Sequence, residues 1–231
     1  MRSRIHYCLA CRRASGDNTS RRGKRRRGPG GVGTVKVIGI CGGSGSGKTE
    51  ALKILSGAGI PVLNSDSVSR EVMSAGTECT RELCKAFGDD ILGADGAPDR
   101  KKLFRLTFTD SEKYAVLCEI THTHILARID DWLGSLSGFA VAVIEAPLLF
   151  ESGLDSRCDA VIMITSPAEQ RINRLCARDN ISPEDVRLRL SRQASEKETA
   201  ERCDMVIVND GGLEEFREKL LKAVAELTRS L

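Results

Sequence analysis

The octapeptide Gly42-Gly43-Ser44-Gly45-Ser46-Gly47-Lys48-Thr49 follows the apolar run Val35-Lys36-Val37-Ile38-Gly39-Ile40, with only Cys41 between them. It fits G-x-x-x-x-G-K-[ST], a pattern that requires a buried strand before it and a helix after it. In such a loop the glycines let successive backbone N–H groups turn inward around a polyphosphate. Lys48 would reach the β- and γ-phosphates, and the Thr49 hydroxyl would ligate Mg²⁺. A helix starting near Lys48 adds the positive end of its dipole. A Gly-rich turn that merely joins strand to helix is the alternative, and the Val/Ile strand and the Lys-Thr ending outweigh it. The chain is expected to bind a nucleotide through residues 42 to 49.

The 231 residues leave room for one sizeable domain with an insertion, or for two small ones, and 41% apolar content allows a core. No run approaches the ~18 uninterrupted apolar residues of a membrane span. The net charge of +3 is unevenly spread: residues 1–30 carry ten Arg or Lys against the single acid Asp17. The other 201 residues carry 25 basic and 31 acidic side chains, a mildly acidic body.

The basic segment, with Arg21-Arg22-Gly23-Lys24-Arg25-Arg26-Arg27 at its centre, has almost no apolar periodicity, so residues 1–34 are expected to be a disordered extension. Its composition also suits an organelle presequence or a nucleic-acid or nuclear-targeting patch. It lacks the apolar core of a secretory signal. Nine scattered cysteines, an odd number, point to thiols in a reducing compartment and not to a disulfide scaffold. Cys8 and Cys11 have the spacing of a metal pair, but no second pair accompanies them.

Five short apolar strands are legible: Val35–Ile40, Gly59–Leu63, Ala140–Ile144, Ala160–Ile164 and Met205–Val208. Helical stretches separate them, mostly helical over 67–134 with turn signals at 88–90 and 93–98, and charged over 167–202. Leu213, Phe216, Leu220, Val224, Leu227 and Leu231 mark one apolar face of a final helix. The pattern predicts an α/β fold, a five-stranded parallel sheet with helices on both faces. Ligands of such sheets bind outside the carboxyl ends of the strands, where Gly42, Asp66, Glu145 and Asn209 all fall.

Two details favour a small-molecule kinase over a GTPase, motor or transporter. Asp66 follows the second strand, where a carboxylate could take the proton of an acceptor hydroxyl beside the γ-phosphate. It is equally suited to capping the helix that begins there. Arg171, Arg174 and Arg178 recur at i, i+3 and i+7 in an arginine-rich stretch that also holds Arg187, Arg189 and Arg192. They fit a lid closing over the triphosphate, or else a solvated charged helix. No N-K-x-D guanine motif is present. Glu145 ends the third strand, where an acid would assist Mg²⁺ or simply face solvent.

The order of motifs resembles dephospho-CoA kinase, the family that phosphorylates the ribose 3′-hydroxyl of dephospho-CoA in the last step of coenzyme A synthesis. The resemblance covers about residues 35–228. It is carried by Ile38 through Thr49, Pro61-Val62-Leu63-Asn64-Ser65-Asp66 with Arg70, Phe87-Gly88, Ile91-Leu92, Asp99-Arg100 with Leu103, and Ile120-Thr121-His122. Pro147-Leu148-Leu149-Phe150-Glu151 is the most distinctive segment, followed by Arg174, Arg178-Asp179, Gln193, Lys197 and Asp204 through Gly211.

The resemblance implies a nucleoside-monophosphate-kinase-like domain over 35–231, with a helical coenzyme-A-binding insertion at 67–134 and a lid at 168–200. Its substrates would be ATP and dephospho-CoA, and its metal Mg²⁺, on Thr49. Lys48, Asp66, Arg174 and Arg178 would be catalytic. Arg70, His122, Pro147, Leu148 and Glu151 would join Asp66 in holding the acceptor, and Asn209 would lie near the adenine. Five positions depart from the family pattern. Asn64-Ser65-Asp66 stands for Asp-Ala-Asp, His122-Thr123 for His-Pro, Glu145 for Asp, and Glu50 for Thr.

The expected location is the cytoplasm, with organelle import through the Arg-rich segment left open, no membrane association, and nucleic acid approachable only through that segment. Two other functions remain: a kinase of another nucleoside or nucleotide, and a nucleotide-switched binding protein working through its basic segment. Removing residues 1–30 separates the last from the kinases, which would keep their turnover.

Overall fold

The computed structural model describes residues 35–191 and 193–231. The expectations for residues 1–34, including the Cys8/Cys11 pair, and for Arg192 lie outside them. The described chain divides into two units, one built on the sheet (35–63, 136–149 and 154–231) and one helical (64–135 with 150–153).

The sheet has strand order β2-β3-β1-β4-β5, from β1 (Lys36–Cys41), β2 (Val62–Asn64), β3 (Val141–Glu145), β4 (Ala160–Thr165) and β5 (Met205–Val208). β1 pairs in parallel with β3 and β4, and β4 with β5. Ile38, Ile40, Val143, Ile162 and Ile164 face α1 (Lys48–Gly57) and α9 (Leu213–Ser230), whose Leu55, Phe216, Leu220 and Val224 complete one buried cluster. Residues of the opposite register, Val37, Ala142, Ile144, Val161 and Met163, are also buried, which is why these strands read as continuous apolar runs. Of the predicted apolar face, Leu213 at the start of α9 and Leu231 just beyond its end are exposed.

Three further helices belong to this unit: α6 (Ala168–Asp179), α7 (Pro183–Ser191) and α8 (Glu196–Glu201). Ile172, Leu175 and Val186 make a small core of α6 and α7.

The helical unit contains α2 (Ser65–Val72), α3 (Glu78–Phe87), α4 (Arg100–Thr107) and α5 (Ser111–Gly134). Its core is Cys79, Leu83, Ile91, Leu103 and Leu117. Short polar caps set the helix starts: Thr77 accepts from the Thr80 amide, Asp99 from Lys101 and Lys102, and Asp110 from Lys113. Arg128 of α5 donates to Glu71 of α2 at 2.7 Å.

Cys41, Cys79, Cys84, Cys158, Cys176 and Cys203 are thiols, as their number suggested. Cys41 is buried at the end of β1, with its sulfur 3.7 Å from that of Cys203. No helix among the described residues is long and apolar enough to cross a membrane.

Candidate active site

β1 ends at Cys41 and α1 begins at Lys48, so residues 42 to 47 form the connecting loop the motif demands. Gly47 is the N-cap of α1 and no side chain caps the helix, which leaves first-turn N–H groups facing the loop. Its φ of 109° is left-handed, and a Cβ there would stand 2.2 Å from Asn209 Nδ2, so only glycine fits. The Lys48 ammonium lies over the loop, donating to the carbonyls of Gly42 (2.9 Å) and Gly43 (3.1 Å). Ser46 Oγ is buried without a hydrogen-bond partner among the described residues. A ring of amides, an ammonium and an unsatisfied hydroxyl suits the oxygens of a polyphosphate.

The loop is held from the sheet rim. Asn209, 8% exposed just beyond β5, donates through Nδ2 to the Ser46 carbonyl at 2.9 Å, and its own amide donates to Thr165 O at 2.8 Å. Its amide nitrogen is therefore engaged with the loop backbone. Glu145 ends β3 opposite Ile40 of β1 and is 3% exposed. Thr49, in the first turn of α1, is exposed.

The three arginines expected on one helical face have three different surroundings. Arg171 is buried behind the loop, with its Nε donating to the Ser44 carbonyl at 2.9 Å. Arg174 reaches the loop edge, donating from Nη1 to the Gly45 carbonyl and to Ser166 Oγ, both at 3.2 Å. Arg178 grips its neighbour Asp179 with two bonds of 2.8 and 2.7 Å, and Arg189 adds a third at 2.9 Å. The Arg178 hydrogen bond, aided by Arg189, holds the Asp179 carboxyl down at about 2, against the opposing effect of burial.

Asp66, Arg70, His122 and Glu151 belong to the helical unit. Asn64, not Asp66, caps α2: its Oδ1 accepts from the Ser67 amide at 2.9 Å. The carboxylate of Asp66, in the first turn, is not spent on the cap. Arg70 is exposed and donates to Ser67 Oγ at 3.1 Å. His122 lies half-buried on α5, and Glu151 half-buried in the turn after β3, where Pro147 and Leu148 also lie. Sequence reasoning missed the parts of Gln193 and Glu196 in holding the loop. Only the position of Gln193 within the family motif pointed to it.

A family model for dephospho-CoA kinase matches residues 36–215. The chain belongs to the dephospho-CoA kinase family. The dephospho-CoA kinase of Moorella thermoacetica is 39% identical over 198 residues, 84% of this chain and 93% of that one. The dephospho-CoA kinase of Corynebacterium glutamicum is 35% identical, over 82% of this chain and 96% of its own length. Among solved structures, TT1252 from Thermus thermophilus superimposes with a TM-score of 0.70 at 33% identity, covering 83% of this chain and 97% of that one. The Campylobacter jejuni dephospho-CoA kinase, at 24% identity and a TM-score of 0.56 over 85% and 99% of the two chains, shares the fold. The matched span contains the phosphate loop, Asp66, the arginines of α6 and Asn209.

Proposed function

We infer that this chain transfers the γ-phosphoryl group of ATP to the ribose 3′-hydroxyl of dephospho-CoA, giving ADP and coenzyme A. The observation that carries this reading is the continuous family match over 36–215, which includes the braced phosphate loop and the acidic first turn of α2.

In this mechanism residues 42 to 49 bind the triphosphate through backbone amides, and Lys48 leaves its two loop carbonyls to neutralise charge on the β- and γ-phosphates. The 3′-oxygen attacks the γ-phosphorus in line, the bond from phosphorus to the β,γ-bridging oxygen breaks, and ADP leaves. Asp66 accepts the hydroxyl proton. Arg174 is the arginine nearest to hand for the transferring group, and Arg178 joins it by exchanging Asp179 for a phosphate oxygen.

Arg70, His122, Pro147, Leu148 and Glu151 hold the acceptor together with Asp66. Asn209 serves the ATP site by fixing the loop at Ser46. Thr49 and Glu145 would hold Mg²⁺. Both offer hard oxygen donors, and no group of three or more His, Cys, Asp or Glu gathers among the described residues. Held there, the ion would supply charge neutralisation to the transferring phosphoryl group. The cytoplasm is the proposed location.

The test is ATP consumption with and without dephospho-CoA, together with the mass of the acceptor product. Acceptor-dependent ADP release with a gain of one phosphoryl group is the expected result. Hydrolysis indifferent to dephospho-CoA would refute the acceptor and turn the search to other nucleosides.

A further inference from the structure

We propose that Arg171 is a positioning residue of the phosphate loop, bracing Ser44 from behind together with Gln193 and so setting the loop's affinity for the triphosphate. The periodicity of α6 groups Arg171 with Arg174 and Arg178, but its surroundings assign it a different task. At 7% exposure Arg171 is buried, and each of its three guanidinium nitrogens donates to a protein acceptor: Nε to the Ser44 carbonyl at 2.9 Å, Nη2 to Gln193 Oε1 at 3.0 Å, and Nη1 to Glu196 Oε1.

Gln193 completes the clamp. Its Oε1 accepts from the Ser44 amide at 3.2 Å, and its Nε2 donates to Ser44 Oγ at 2.7 Å. The amide, carbonyl and hydroxyl of one loop residue are thus all held by two side chains from outside the loop. Glu196 anchors the far end, its Oε2 accepting from Thr165 Oγ1 at 2.9 Å where β4 ends. The fit is close at Gly43 as well, since a Cβ there would fall 2.3 Å from Arg171 Nη2 and 3.0 Å from Gln193 Oε1.

A loop that binds phosphate through its other backbone amides gains affinity when its backbone is already fixed at Ser44, because little conformational entropy is lost on binding. Arg171 is suited to this because a planar guanidinium bonds several acceptors in fixed directions, which an ammonium on a flexible stem does not. Buried, with all three guanidinium nitrogens bonded to protein, it is not available to close over the nucleotide.

The proposal rests on the loop's being the ATP site, and the decisive readout needs no acceptor: MgATP affinity by titration calorimetry, on folded variants. Arg171→Met should raise the ATP Kd and the ATP KM about tenfold, the loss of one or two well-placed hydrogen bonds. The dephospho-CoA KM should stay within about twofold, and kcat should fall less than about fivefold. Arg171→Lys keeps a charge opposite Glu196 but loses the fork, and should stay close to the Met variant.

Gln193→Ala, at a half-buried position, should give the same split and keeps the test decisive if the Arg171 variants do not fold. An ATP Kd within about twofold of wild type in Gln193→Ala would overturn the brace. So would full recovery in Arg171→Lys, or a fall in kcat with both KM values unchanged, the mark of a smaller active fraction. Wild-type protein that binds ATP but ignores dephospho-CoA would refute the proposed acceptor alone and leave the brace testable.

Discussion

Ser44 of the phosphate loop has its amide, carbonyl and hydroxyl engaged by Gln193 and Arg171, whereas the cap at the start of α2 leaves the Asp66 carboxylate unspent. In the first region side chains fix a backbone; in the second, a backbone and its Asn64 cap present a side chain. The difference follows from the chemistry proposed for each. Cradling a triphosphate needs preorganised amides, whose rigidity strengthens electrostatic stabilisation at no cost during reaction. Accepting a proton needs a carboxylate whose lone pairs are open to substrate.

The comparison can be broken or sharpened by substitution. The largest effect is expected of Lys48→Ala, which removes the mobile charge of the loop. Turnover should fall by roughly three orders of magnitude or more, read as acceptor-dependent ADP release by folded protein. Asp66→Asn comes next and separates the two regions. Turnover should drop by about 10²- to 10⁴-fold while ATP affinity stays within about twofold; unaffected turnover would mean that Asp66 is not the base.

Gly47→Ala probes loop rigidity from the other side. A methyl group cannot share space with Asn209 Nδ2, and the left-handed backbone adds about 1–3 kcal/mol of strain. Weaker ATP binding and a lower melting temperature should appear together.

The smallest effect concerns the corner of α6. Asp179 is depressed from its ordinary 3.8 to about 2, chiefly by the Arg178 hydrogen bond. A lowered carboxyl stabilises the fold above its unfolded value, and that contribution fades as the pH falls through about 2. Asp179→Asn should therefore cost on the order of 1 kcal/mol at neutral pH, and the gap to wild type should close by about pH 2, followed by denaturant unfolding across that range. A gap that persists there would assign Asp179 a packing role instead of an ionic one.

Much of the fold was legible because buried parallel strands leave an unmistakable apolar signature. Four of the five strands lie within a residue of where their Val and Ile runs put them, whereas β2 starts at Val62, three residues later than expected. The loop residues were legible for the same reason: glycine, lysine and threonine at fixed offsets serve one kind of backbone. The start of α2 was harder to read. Asn64 and Asp66 both make good caps, and only the observed bond from the Ser67 amide to Asn64 decides between them. Arg171 was grouped with its helical neighbours, since periodicity shows which residues share a face but not what that face meets.

By itself, the sequence determined the strand–loop–helix unit, the order of the elements and the family, since each depends on local patterns a few residues long. Tertiary structure alone decided how the arginines divide their work. Arg171, Gln193 and Glu196 reach Ser44 and Thr165 across separations of 31 to 149 residues. Whether a guanidinium there braces a loop or meets a phosphate depends on burial and on the acceptors around it, which only packing creates.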